Sequence, residues 1–147
     1  MKKLIFLFSV ILLATGATKK PYTNFDYSYA RSGGFDPIYE NLWIKGHQAH
    51  YSFEGRKQKI KKNFRLSTQD LKVIETVLTT NNFRTIQEDY KKQYDNIAIA
   101  INVKKGPNSG SKSNASDIMD PDRERWNNVA AVFQKIIEEK VQSAPAR

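Results

Sequence analysis

The sequence predicts an α+β fold, an antiparallel sheet of about five to six strands with two helices packed on one face. Short segments rich in aromatic and β-branched residues, separated by glycines and charged turns, fill residues 22–66. A helical pattern, two further strand patterns and a second helical pattern follow. Because the strands are joined by short turns and the helices are segregated from them, an antiparallel sheet covered on one side is the expected architecture.

Four strands are predicted before the first helix, each bounded by glycine or charged turn residues. Phe25, Tyr27 and Tyr29 alternate with polar residues, so the first strand has one aromatic face. We expect this face to be core rather than a carbohydrate-binding platform. Gly46 marks the tip of a hairpin between the second and third strands. The four segments are residues 25–32, 39–45, 48–54 and 57–66.

The first helix is predicted from a start signal at Ser67. A serine followed three residues later by Asp70 is typical of a helix N-terminus, where the side-chain oxygen of the first accepts an otherwise unpaired backbone N–H. Asn81 and Asn82 are expected to end the helix. The apolar residues at helical spacing are Leu71, Ile74, Val77 and Leu78.

Two strands and a second helix complete the predicted fold. Apolar residues at every second position of 97–103 indicate the central strand of the sheet, and the polar residues 111–117 are expected to return beside it. Asp120 is the expected N-cap of the second helix, with Pro121 at its first position. The apolar stripe of this helix consists of Trp126, Val129, Phe133, Ile136 and Ile137.

The N-terminus is predicted to be a secretory signal peptide. Lys2 and Lys3 precede an apolar run, and the small residues at 14–17 offer a cleavage site. The run is shorter than the about 20 residues that a membrane helix needs. We therefore expect export to the periplasm or the medium, with no integral membrane segment after cleavage. The predicted divisions are a signal peptide at 1–17, a single α+β domain at 22–141 and a flexible tail at 142–147.

The amino-acid composition excludes several kinds of functional site. The chain contains no cysteine, which excludes disulfides, thiolate metal sites, cysteine nucleophiles and lipoprotein acylation. The formal net charge is +9, and it falls to +7 when Lys2 and Lys3 leave with the signal. An exported basic protein can bind anionic polymers of the cell envelope through this charge.

The basic charge is concentrated in the fourth predicted strand, in a stretch that contains no acid. Alternation is expected to place Lys57, Lys59, Lys61 and Arg65 on one face, with Lys62 the exception. A stripe of cations near aromatic side chains is typical of a surface that binds an anionic polymer. Lysines also protect exposed sheet edges, so a solvated edge is the alternative. The predicted anion-binding residues are Lys57, Lys59, Lys61, Lys62 and Arg65.

No catalytic residue is predicted. The chain has two histidines, His47 and His50, and lacks the Gly-x-Ser-x-Gly nucleophile motif. Glu88 and Asp89 form an acidic pair in an irregular segment, where paired carboxylates can act as acid and base. The alternative to a binding module is a small secreted hydrolase that uses the histidines or these acids.

No metal site or cofactor is predicted either. The spacing of the two histidines suits zinc on a helix, but that segment is predicted to be a hairpin. Four acids near the second helix do not match the calcium-loop pattern, because no glycine occupies the turn and a proline interrupts the spacing. Helix capping explains most of them without a metal. These acids are Asp117, Asp120, Asp122 and Glu124.

Residues 42–86 also carry a resemblance. They contain a strand, a glycine turn, a strand ending in Tyr-x-Phe, a basic strand, a Leu-Ser-x-x-Asp-Leu helix start and an Asn-Phe pair, and an alternating isoleucine strand follows. This order resembles small exported bacterial domains of unknown function. The resemblance implies an α+β fold and an envelope location, and supplies no catalytic motif. We therefore predict an exported, non-enzymatic binding or interaction module with a basic surface strand, whose partner is an anionic polymer or an envelope protein.

Overall fold

The computed structural model describes residues 23–91 and 95–143, and within them the chain forms a six-stranded antiparallel sheet and two α-helices. The predicted signal peptide and residues 144–147 of the predicted tail lie outside the described residues. The strands are β1 (Tyr27–Gly33), β2 (Ile38–Lys45), β3 (Gln48–Gly55), β4 (Gln58–Arg65), β5 (Ile97–Val103) and β6 (Gly110–Ser113). The helices are α1 (Thr68–Thr80) and α2 (Arg123–Ile137), with short 3₁₀ turns at Phe83–Thr85 and Asp120–Asp122 and a π-helical turn at Glu138–Gln142.

The strand order across the sheet is β4-β3-β2-β1-β5-β6. The first four strands form a meander of hairpins, because each connection is a short turn. After α1, β5 pairs antiparallel with the remaining edge of β1, and β6 pairs with β5. β5 is thus an interior strand, although β2 and β1 occupy the middle of the sheet. The predicted fold class is confirmed.

The last strand is shorter than the predicted segment 111–117. Asn114 follows β6 directly and bonds to Ile99 twice. Its side-chain Oδ1 accepts the Ile99 N–H at 2.6 Å, and its own N–H donates to the Ile99 carbonyl at 3.1 Å. Because an amide side chain has taken the place of a backbone acceptor, the strand pairing ends there.

Both helices pack on the same face of the sheet. Tyr29 of β1 stacks on Phe133 of α2 with ring centroids 5.9 Å apart, and the Tyr27 hydroxyl donates to the Glu75 carboxylate of α1. The aromatic side chains of β1 therefore lie in the core and form no exposed platform. Other fully buried side chains of this layer are Leu42, Ile44, Ile74, Leu78, Phe83, Ile86, Ile101 and Val129.

α1 begins where the sequence predicts. Ser67 Oγ accepts the Asp70 N–H at 3.0 Å, and Asp70 Oδ2 accepts the Ser67 N–H at 2.7 Å, so the two residues form a capping box. Burial acts to raise the pKa of Asp70, but the hydrogen bonds from Ser67 and Lys140 outweigh it and hold the pKa below its ordinary value. The helix ends at Thr80 with Asn81 as its C-cap, and Asn82 takes a left-handed conformation that turns the chain back to the core.

α2 begins later than predicted, and Asp120 is not its N-cap. The segment Asp120–Asp122, which contains the proline, forms a single 3₁₀ turn before the α-helix starts. Asp122 accepts the Gln87 backbone N–H at 2.8 Å and a hydrogen bond from Arg125. Its carboxylate therefore joins the loop that follows α1 to the first turn of α2.

Candidate functional site

The basic residues of β4 lie on the open face, by which we mean the face of the sheet opposite the helices. Phe64 of β4 is paired with Ala49, whose buried side chain lies in the helix layer, so the alternate residues of β4 point the other way. Lys59, Lys61 and Arg65 therefore share the open face. We call these three residues the basic face.

The structure does not bring all five predicted cations together. Lys57 lies in the two-residue turn before β4, where Arg56 and Lys57 both have positive φ, +48° and +60°, as tight hairpins require. Lys62 faces the helix layer, half-buried, and its ammonium donates to the Lys140 carbonyl at 2.7 Å. The expectation of four cations on one strand face is therefore wrong, because β4 begins one residue after Lys57.

The basic face carries little neutralising charge from the strand beside it. Lys59 forms an ion pair with Glu54 at 3.3 Å, but both side chains are 63% exposed, and a pair so exposed is worth well under about 1 kcal/mol. The other two cations lie opposite uncharged residues of β3. These pairs are Lys61 with Ser52 and Arg65 with Gln48.

A row of polar and aromatic side chains crosses the open face beside the cations. Asn63, His50 and Trp43 lie opposite one another on three neighbouring strands. The His50 and Trp43 ring centroids are 5.6 Å apart, and His50 Nδ1 donates to the Asn63 side-chain oxygen. These side chains, with Lys45 and Asn24, line a cavity of about 270 Å³. A cavity of this size is a shallow groove suited to one planar group, such as a sugar ring or a base, stacked beside cations.

Small side chains continue the open face towards β6. On β1 and β5 the residues that point to this face have short side chains, so the surface there is low and flat. The short side chains on β1 and β5 are those of Ser28, Ala30, Ala98 and Ala100. An extended ligand that contacts Lys61 can cross the sheet along a row of short side chains that runs between Tyr39 and Trp43 of β2. This row consists of Ser52, Asn41, Ala30 and Ala100.

The two histidines have different partners. His47 lies in the turn between β2 and β3, where its Nδ1 donates to the Leu66 backbone carbonyl at 2.8 Å. His50 lies on the open face against Trp43 and Asn63. His47 thus fastens the start of α1 to the hairpin, while His50 belongs to the row beside the basic face.

The side chains of the acidic pair, Glu88 and Asp89, make structural contacts. Glu88 Oε1 accepts the backbone N–H of Ser113 at 2.5 Å, next to an isolated bridge between Glu88 and Ile118. Asp89 pairs with Lys91 at 2.8 Å. The Glu88 contact with Ser113 fixes the loop after α1 against the end of β6, and the Asp89–Lys91 pair lies within that loop.

The acids near α2 pair with arginines. Arg123 lies 2.6 Å from Asp120 and 3.6 Å from Asp117, and Arg125 pairs with Asp122. Over residues 23–91 and 95–143, no group of three or more histidine and acidic residues is placed to hold a metal ion. Three of the four carboxylates considered as calcium ligands, those of Asp117, Asp120 and Asp122, thus pair with arginine side chains at the start of the helix.

One cavity was not anticipated from the sequence. It measures about 540 Å³ and lies at the end of the sheet where α1 begins, between Leu71 and Pro107. Burial first, and then the hydrogen bond to the Glu75 carboxylate, raise the pKa of Tyr27 at its wall. The Asn108 amide donates to the other Glu75 oxygen at 3.1 Å, so this carboxylate is held from two sides. No sequence motif signals the cavity, because its walls come from separate elements.

A buried ionic network lies on the helix side of the sheet. Glu40 is only 5% exposed, and it accepts hydrogen bonds from Arg31 Nε at 2.7 Å and from the Tyr51 hydroxyl at 2.8 Å. Burial, and then the bond to Glu40, raise the pKa of Tyr51. The sequence does carry a signal for it, because Glu40 occupies an inward position between Ile38 and Leu42 in an alternating strand.

Comparison with known proteins gives no relative from which function can be transferred. No protein-family model matches the chain, and no curated protein matches it. Across the described residues, none of the helices combines the length and the apolar character needed to cross a membrane. The functional argument therefore depends on the residues of the open face.

Proposed function

We propose that this protein is an exported, non-enzymatic binding module of the bacterial envelope, and that it holds an anionic partner on the basic face. The proposal combines the signal-peptide pattern of residues 1–17 with the location of the cations. Export would place the basic face among the anionic polymers and proteins of the envelope.

The observation that carries the proposal is the alignment of Lys59, Lys61 and Arg65 on the open face of an edge strand. Residues two apart on a strand are separated by about 6.6 to 6.8 Å, so the three cations form a regular row that an extended anionic polymer can follow. The groove at Trp43 adds an aromatic surface beside the charges. Side chains that only protected a sheet edge would not need this neighbour.

Heparin chromatography tests the proposal. The triple variant Lys59→Gln, Lys61→Gln, Arg65→Gln is expected to elute at lower salt than the wild type. Each cation that is removed reduces the number of counterions that heparin releases when the protein binds. The free energy of unfolding should change by less than about 1 kcal/mol, since the three side chains are exposed.

A matched variant separates the site from net charge. Lys72→Gln, Lys105→Gln, Lys135→Gln removes the same charge from exposed positions outside the open face. We expect this variant to elute close to the wild type. If both triple variants lose retention equally, heparin responds to net charge alone and the proposal is wrong.

The alternative function, a small hydrolase, needs a separate test. Purified protein is assayed against generic ester, peptide, phosphate and glycoside substrates. We expect no turnover above background. Turnover that disappeared in His50→Ala or in the double variant Glu88→Gln, Asp89→Asn would overturn the non-enzymatic assignment.

A further inference from the structure

The outer edge of β4 carries backbone groups that none of the described strands pairs with. The Leu66 N–H donates to the His47 carbonyl at 2.8 Å, which fixes the phase of hydrogen bonding between β3 and β4. In an antiparallel pair, alternate residues direct their N–H and C=O groups to the same neighbour. Residues 60, 62 and 64 therefore bond to β3, and the outward groups belong to Lys59, Lys61, Asn63 and Arg65.

The residues with outward backbone groups are also the ones whose side chains form the basic face. A strand added to this edge would place its directly opposite side chains beside those cations on the open face. On the other face it would cover Ile60, which is 40% exposed, and the half-buried Phe64. The edge thus specifies a ligand in which acidic residues alternate with apolar ones.

A second copy of this chain fits the edge poorly. Two β4 strands paired edge to edge would bring lysines and arginines opposite one another, and like charges directly opposite destabilise a strand pair. The other edge of the sheet offers less, because β6 has four residues and Asn114 ends its pairing. The charge of β4 therefore favours an acidic partner.

We propose that β4 binds an extended acidic segment of another envelope protein as an added antiparallel strand. This inference rests on the proposed function, because it names the kind of anionic partner that the basic face takes. Main-chain hydrogen bonds supply affinity in such complexes, and the alternating side chains supply specificity.

The probe is a blocked octapeptide in which Glu alternates with Thr and Val, titrated into the exported, processed protein and followed by amide NMR. We expect binding to slow hydrogen exchange at the outward amides of Lys59, Lys61, Asn63 and Arg65. The amides of residues 60, 62 and 64 already bond to β3 and should change little.

Two modified peptides separate strand pairing from charge attraction. Methylation of the Glu nitrogens removes the donors that would face β4, and methylation of the Thr and Val nitrogens removes donors that would face solvent. All three peptides have the same charge. We expect the first modification to weaken binding by about tenfold or more and the second to weaken it much less.

Asn63→Pro is the matching protein variant. It deletes one outward N–H, keeps every cation and breaks no backbone hydrogen bond to β3, and proline is tolerated where the N–H of an edge strand faces solvent. It also removes the side-chain oxygen that accepts from His50, so Asn63→Ala, which removes that oxygen and keeps the N–H, is its control. Circular dichroism and thermal unfolding check its fold. We expect Asn63→Pro to lose the peptide, Asn63→Ala to keep it, and the two variants to have the same heparin retention.

Each outcome decides between the two proposals. Heparin retention without peptide binding, or equal binding of all three peptides, overturns the added strand and leaves the proposed function standing. If the wild type neither is retained on heparin nor binds the peptide, both the added strand and the proposed function are overturned. A dimer in sedimentation that Asn63→Pro converts to a monomer would assign the edge to a second copy and overturn the inference. Should Asn63→Pro misfold, the methylated peptides still decide.

Discussion

At the scale of single residues, a large energetic effect is expected at the buried carboxylate of Glu40. Glu40 accepts bonds from Arg31 and Tyr51 in the helix-facing layer. Glu40→Ala should lower the free energy of unfolding by about 2–4 kcal/mol, because it leaves the Tyr51 hydroxyl and the Arg31 guanidinium without their acceptor. Glu40→Gln, which keeps one acceptor, should cost less. Urea unfolding measures both, and an Ala variant within about 0.5 kcal/mol of the wild type would show that the network contributes little.

Asp122 gives a pH dependence at the same scale. The hydrogen bond from Arg125, and then the Gln87 N–H, lower the pKa of Asp122 in the folded protein. Its contribution is therefore complete above the unfolded pKa of about 3.9 and is lost as pH falls through the lower folded value. Unfolding between about pH 5 and pH 2 should be less pH-dependent in Asp122→Asn than in the wild type. Parallel curves for the two proteins would contradict this account.

At the scale of elements, the β3–β4 turn is strained because two residues with a Cβ atom have positive φ there. Arg56 and Lys57 both occupy left-handed conformations, which cost a residue with a Cβ roughly 1 kcal/mol each. The double variant Arg56→Asn, Lys57→Gly supplies the preferred residues of such a turn and should stabilise the fold by about 1 kcal/mol. That gain corresponds to a melting temperature higher by about 4 °C. A lower melting temperature would contradict the turn geometry.

The helices and strands also show which features can be predicted from local sequence patterns and which cannot. The capping box at Ser67 and the alternation of β5 predicted their elements, because both signals lie within a few adjacent residues. Asn114 ended β6 early and Asp122 replaced Asp120 at the start of α2 because each side chain bonds to a residue distant in sequence. Such bonds depend on tertiary packing, which local patterns do not encode.

At the scale of the whole molecule, the basic strand could be predicted from the sequence, but its place at the edge of the sheet and the contacts of its lysines could not. Alternation correctly assigned Lys59, Lys61 and Arg65 to one face. That Lys57 lies outside the basic face could be seen only once the boundary between the turn and β4 was known. That Lys62 bonds to Lys140 could be seen only once the position of the chain after α2 was known. The edge position of β4 follows from the pairing of β5 with β1, a choice between distant strands.

The salt dependence of binding to a single-stranded oligonucleotide tests the central claim most directly. Lys61 and Lys62 are adjacent and chemically identical, but only Lys61 belongs to the basic face. We predict that Lys61→Gln lowers the slope of log K against log salt by about 0.7, the value for one neutralised phosphate of a single strand, and that Lys62→Gln leaves the slope unchanged. Equal slopes for the two variants would contradict the account, because binding would then be independent of the face that each lysine occupies.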